Sequence, residues 1–276
     1  MNRFLLVLTS ILFCISCKKT TEEPKTTVSD YNPGTGWNLS WAEEFDATAL
    51  NTSLWNYEIG NNNGWGNSEL QYYKAENVAL ENGNLVITAK NEVYNTYSFT
   101  SGRINTKNKF SFNYGKIVGR IKMPEGYGMW PAFWMLGSSS QSWPACGEID
   151  IAEMKCGQGV DGDKTAFSTC HWLNGSYVHE YYGKDFVYPY NLSQSYHNYE
   201  VEWNATSITA RIDGTLYNQT DITTSDKSEL KNNSFFIILN IAVGGTIFSP
   251  AITNPSSVTA SFPQKMYVDW IRIYQK

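Results

Sequence analysis

The sequence predicts an all-β fold, a sandwich of two antiparallel sheets. Three observations carry this. Short strand-like runs recur at 84–90, 114–123, 198–203, 207–212, 235–243 and 266–274. Turn signals such as Glu81-Asn82-Gly83-Asn84 and Asp213-Gly214 separate them. No apolar pattern marks an amphipathic helix longer than two turns. Short strands at regular spacing, with neither a repeat nor a second hydrophobic organisation, fit a single sandwich. The chain has 276 residues, and an all-β domain of this size is common as one unit.

The N-terminus reads differently. Arg3 supplies a positive start, and the apolar stretch 4–15 is too short to span a bilayer. It ends Cys14-Ile15-Ser16-Cys17-Lys18-Lys19. This string resembles a bacterial lipobox, with Cys17 as the acylated residue and Cys14 where Leu is usual. Residues 1–17 are therefore expected to be a lipoprotein signal. The expected location is the bacterial cell envelope, anchored to a membrane, or the medium. Residues 18–36 begin polar and without apolar periodicity, as a flexible tether does. Residues 37–276 are expected to form the working domain, as a monomer.

The net charge of −5 argues against a nucleic-acid partner. Trp 10, Tyr 18 and Phe 13 suit both a β-rich core and a groove where aromatic faces stack on sugars. Cys146, Cys156 and Cys170 follow the leader. Cys146 and Cys156 flank an extended run and are too far apart to bridge. Cys156 and Cys170 could meet across a hairpin. With only three His and this spacing, a zinc site is not expected.

Chemistry concentrates in Gly147-Glu148-Ile149-Asp150-Ile151-Ala152-Glu153. Side chains alternate along a strand, so Glu148 and Asp150 share a face while Glu153 should oppose them. One β-bulge would return Glu153 to their face. Carboxylates in strands are usually just solvated. Three on one face between Ile149 and Ile151 repel one another, which proteins tolerate mainly at functional sites. Two Glu carboxyls approaching to roughly 5 Å would suit a retaining glycosidase.

That segment, with Trp130-Pro131-Ala132-Phe133-Trp134-Met135-Leu136 upstream, resembles glycoside hydrolase family 16. Further matches are Trp41–Asp46, Asn67–Tyr73, Ser101–Ile104, His197–Glu200 and Phe262–Trp270, spread over 37–276. The likeness is greatest to the bacterial laminarinase branch, endo-acting β-1,3-glucanases on a β-jelly roll with a concave cleft. The resemblance implies that Glu148 is the nucleophile, Glu153 the acid/base and Asp150 a tuning group. It implies sugar contacts from Asn67, Arg103, Trp130, Trp134, Trp143 and His171, although Asn67 or Arg103 could instead brace loops. It also implies a structural Ca²⁺ away from the cleft, held by Glu44, the Gly83 backbone oxygen and Asp269. The chain departs from the family at Gly244-Gly245-Thr246-Ile247-Phe248, where Gly-Gly-Asn-Trp is frequent, and at Val118, where Glu is common. Mixed-linkage β-1,3-1,4-glucan, galactan or transglycosylation are the alternatives within the family. A non-catalytic glycan-binding sandwich is the alternative outside enzymes.

Overall fold

The computed structural model of the protein describes residues 31–276. The expected signal, Cys17 and residues 18–30 lie outside them. Seventeen strands follow in chain order. They are β1 Asn38–Glu43, β2 Asn56–Tyr57, β3 Gln71–Tyr73, β4 Val78–Glu81, β5 Asn84–Tyr94, β6 Tyr97–Ser101, β7 Arg103–Asn105, β8 Gly115–Lys122 and β9 Met129–Gly137. Then come β10 Glu148–Met154, β11 Thr165–Leu173, β12 His179–Val187, β13 His197–Trp203, β14 Ser207–Ile212, β15 Thr215–Asp221, β16 Phe235–Val243 and β17 Gln264–Gln275. The one α-helix among the described residues, Ser228–Asn232, is a single short turn region.

Seven strands form one sheet in the order β12-β11-β10-β9-β16-β7-β2. The other ten form the second sheet, in the order β15-β14-β13-β8-β17-β5-β6-β3, with β1 on β17 and β4 on β5. All pairs are antiparallel except β3 with β6. This is the expected jelly-roll sandwich. The turns carry the predicted chemistry: Asn82 and Gly83, like Asp213 and Gly214, both take positive φ, as tight hairpins require.

Alternation decides what each sheet buries. On β9, Met129, Phe133 and Met135 enter the core, while Trp130, Ala132, Trp134 and Leu136 face outward into a cleft. On β16, Ile237, Leu239 and Ile241 point inward, and Asn240 and Ala242 outward. The strand is buried at every position because the cleft side chains cover its outer face.

The proposed cysteine pair does not form; Cys146, Cys156 and Cys170 are free and buried. Register explains this. Cys170 lies opposite Ile149, whereas Met154 lies opposite Ala166. Cys156 is therefore beyond the other end of the ladder. Val118 sits between Glu200 on β13 and Arg272 on β17, in the sheet that does not form the cleft, so its departure from the family leaves the cleft unchanged.

Candidate active site

Strand β10 carries the bulge that the carboxylate spacing requires. Asp150 pairs with Thr169 and Glu153 with Phe167, so three steps on β10 match two on β11. Against β9 the extra residue falls between Asp150 and Ala152. A bulge leaves backbone groups off the ladder. Here the Tyr217 hydroxyl donates to the Ile151 carbonyl at 3.0 Å, and the Ser168 hydroxyl donates to the Asp150 carbonyl at 2.7 Å. One bond comes from the neighbouring β11 and the other from β15 of the opposite sheet, so the irregular backbone is held without unpaired groups at these carbonyls.

The result is one face bearing Glu148, Asp150 and Glu153. All three line a cavity of about 690 Å³. Trp143 Nε1–H donates to Glu148 Oε2 at 3.0 Å. Trp130 Nε1–H donates to Glu153 Oε1 at 2.7 Å. His171, opposite Glu148 on β11, brings Nε2 to 3.7 Å from Glu148 and 3.3 Å from Asp150. Thus Trp130 and Trp143 do more than offer ring faces. They orient the two glutamates.

Burial, and then the charge of Asp150, push the Glu153 carboxyl up from 4.5 to about 8. Burial and Asp150 also raise Glu148, with His171 and the Trp143 N–H pulling it back down. Asp150 is 2% exposed, and burial alone holds it well above the carboxylate range. Three such groups do not ionise together. Asp150 Oδ2 is buried without a hydrogen-bond partner; the approach of His171 is a contact without hydrogen-bond alignment. A neutral Asp150 relieves the charge that raises both glutamates, and burial then remains the main cause for each. Glu153, held up at about 8, is a protonated acid near neutral pH.

Glu148, Asp150 and His171 place one donor atom each within 4.8 Å of one another. All three face the cavity, and their close packing is what a proton-exchanging set needs. The expected Ca²⁺ set is arranged differently. Both Glu44 oxygens accept from Arg272, at 2.7 and 2.9 Å, and Asp269 accepts from Arg120 at 2.7 Å. Guanidinium groups already neutralise both carboxylates, so these residues as placed do not fit a calcium cage.

Of the expected sugar contacts, Trp134 lines the cleft and its N–H donates to Asn240 Oδ1 at 2.8 Å. Asn67 lines it too, while its amide donates to Glu69 at 3.2 Å. Arg103 turns out to be mostly a brace. It is ion-paired with Glu58 and lies over the rings of Trp65 and Trp134 at 4.3 and 5.0 Å. Where the family Trp is absent, Thr246 and Ile247 line the cleft. Phe248 is buried against Tyr127, ring centroids 5.8 Å apart. Trp65, Glu69, His179, Tyr181 and Asn240 also line the cavity and were not singled out from sequence. His179 and Tyr181 sit in a polar segment with no core-facing pattern, so nothing in the sequence marks them.

The description "Glycosyl hydrolases family 16" matches residues 65–272. The chain belongs to that family. It is 37% identical over 244 residues to the clotting factor G alpha subunit of Tachypleus tridentatus, covering 87% of this chain and 34% of that protein. It is 36% identical over 268 residues to the glucan endo-1,3-beta-glucosidase A1 of Niallia circulans, covering 87% and 38%. The chain thus spans little more than a third of the length of these two curated relatives. The laminarinase catalytic domain from Thermotoga maritima MSB8 superposes with a TM-score of 0.75 at 39% identity, covering 87% of this chain and 98% of that one.

Proposed function

We propose that this family 16 chain is a retaining, endo-acting hydrolase of β-1,3-glucan, lipid-anchored through Cys17 at the cell envelope and working as a monomer. The observation that carries the chemistry is the bulge, which brings Glu148 and Glu153 to one cleft face. The relatives named as a glucan endo-1,3-beta-glucosidase and a laminarinase support the substrate. The anchor rests on the sequence around Cys17.

Glu148 attacks the anomeric carbon as a carboxylate, and Glu153 gives its proton to the departing glycosidic oxygen. A glycosyl ester forms as the C–O bond breaks. Glu153, now ionised, takes a proton from water, whose oxygen displaces Glu148 at the same carbon. Two inversions give net retention. Asp150 stays neutral beside Glu148, and Trp130 keeps Glu153 on line. The aromatic walls at Trp134 and Trp143 offer faces to the flanking sugars.

Products from laminarin, lichenan and agarose, incubated side by side, test the linkage. Short β-1,3 oligosaccharides from laminarin are expected, with the β-anomer appearing first by NMR. Initial α-anomer would overturn the mechanism. Cleavage of lichenan alone would move the substrate to mixed-linkage glucan.

A further inference from the structure

His171 does not stand alone. Its Nδ1 lies 3.0 Å from Nε2 of His179, on the adjacent strand β12. The rings are nearly parallel, 21° apart with centroids at 5.2 Å. His179 in turn packs on Trp143, centroids 4.6 Å apart, and faces Tyr181 at 6.0 Å. Two nitrogens at this distance share one hydrogen, so one ring donates and the other accepts.

We propose that His179 is a positioning residue, fixing by its Nε2–H bond to His171 Nδ1 the tautomer in which His171 Nε2–H faces Glu148 and Asp150. The inference rests on the hydrolase reading above. The carboxyl groups set the direction. Glu148 attacks as a carboxylate, and a bare lone pair on His171 Nε2 would face its Oε1 at 3.7 Å, which is repulsive. An N–H there is attractive, which leaves Nδ1 as an acceptor needing a donor. His179 supplies it. Burial, then His171, lowers the pKa of His179, with Glu180 opposing, so His179 is a neutral donor in the working range. The titratable groups around the pair are Glu148 and Asp150 from β10 and Glu180 and Tyr181 from β12. Trp143 completes the enclosure without charge.

The consequence falls on Glu148. A neutral His171 acts on Glu148 through the N–H that faces it: with Nε2 3.7 Å from Glu148 Oε1, that N–H favours the charged form of the carboxyl. Without a fixed donor at Nδ1, His171 can rotate its proton to the wrong nitrogen. Glu148 then binds its proton more tightly, and the acidic limb of activity moves to higher pH.

The test uses the full chain with His179→Phe and His179→Gln. Phe keeps a ring against Trp143 and Tyr181 but loses the donor. Gln keeps an N–H near the Nε2 position and loses the ring. The expected result for Phe is kcat lower by about tenfold, KM within about twofold, and the acidic limb of kcat/KM shifted upward by about half a pH unit or more. Gln is expected to restore most of the rate and the profile. A normal Phe variant with a defective Gln variant would make His179 a wall residue and overturn the proposal. Nitrogen-15 NMR of the imidazoles provides a readout without substrate, and three His in the chain keep assignment simple. His171 should be the Nε2–H form in the parent and in Gln, and mixed in Phe. An unchanged tautomer in Phe overturns the proposal. Because this spectrum needs no turnover, it stands apart from any failure of the glucanase reading.

Discussion

The two sheets treat charge in opposite ways. Among the described residues, the two buried acids on strands of the ten-stranded sheet, Glu200 and Asp269, each meet a cation. Glu200, 5% exposed, lies 3.3 Å from Lys116 and 3.2 Å from Arg211. Asp269 meets Arg120, and just past β1 the half-buried Glu44 meets Arg272. On β10 of the seven-stranded sheet, Asp150 and Glu153 are as deeply placed and Glu148 is half-buried. Among the described residues no Lys or Arg pairs with them; their near neighbours are indole N–H groups and one imidazole. A guanidinium fixes a carboxylate in its charged form. A weak donor leaves protonation undecided, and undecided protonation is what acid/base chemistry uses. The ten-stranded sheet neutralises its acids with cations, while the seven-stranded sheet holds its acids at a cost to stability.

Removing the cleft acids should have the largest effect. Glu148→Gln and Glu153→Gln are each expected to lower kcat by at least about 10³-fold, since one forms the covalent bond and the other moves the proton. Circular dichroism should be unchanged. Near-normal turnover by either variant on every glucan would sink the contrast at its root. In the parent, kcat/KM should fall as pH rises through about 8, where Glu153 loses its proton.

The same contrast predicts stabilities of opposite sign. Arg272→Met leaves Glu44 without its bidentate partner beneath a 2% exposed position. We expect a loss of about 3 kcal/mol, read as a lower midpoint in denaturant. For Glu153→Gln the linkage runs the other way. Its folded pKa lies above its unfolded value, so between about 4.5 and about 8 the folded state holds a proton that the unfolded state releases. Stability therefore falls as pH rises through that window. Gln removes the penalty, and Tm should rise by about 2–4 °C, more at pH 8 than at pH 5. A Tm that drops equally at both pH values would mean that Glu153 is not a strained acid.

A smaller effect tests what holds the cleft sheet in its irregular shape. Tyr217→Phe strips the hydroxyl from the Ile151 carbonyl and should cost about 1–2 kcal/mol. The rate should fall several-fold, because Glu153 depends on the bulge for its direction. Loss of stability without any loss of rate would show that the β9 and β11 ladders hold the bulge by themselves.

These particulars also show what the chain revealed before folding. Periodicity and turn residues mark the strands, and 207–212 and 235–243 coincide with β14 and β16. The bulge is legible because Glu148, Asp150 and Glu153 make sense on one face only if a residue is absorbed. Tyr217 is not legible, since its bond crosses from β15 to β10, and no local pattern encodes that crossing. His179 escapes for a similar reason: its meaning depends on the register that sets His171 beside it. Arg103 reads from sequence as a sugar contact as easily as a brace; only its distances to Trp65 and Trp134 separate the two.

The smallest expected effect concerns the charged sheet and a metal. Family resemblance suggests Ca²⁺ on Glu44, Gly83 and Asp269. Calcium binds through six to eight oxygens and favours uncommitted carboxylates. Here Glu44 offers both oxygens to Arg272 and Asp269 one to Arg120. A cation arriving there would meet two guanidinium groups, and each would have to swing away and lose its ion pair. Any ligand selective for the folded state raises Tm with its concentration. A chelator is therefore expected to leave Tm unmoved, and millimolar Ca²⁺ to leave it unmoved as well. Arg272→Met would then sharpen the point, because removing that guanidinium should make Tm respond to Ca²⁺ where the parent does not. A parent Tm that falls in chelator and recovers with Ca²⁺ would show that a metal, rather than arginine, neutralises this edge of the sheet.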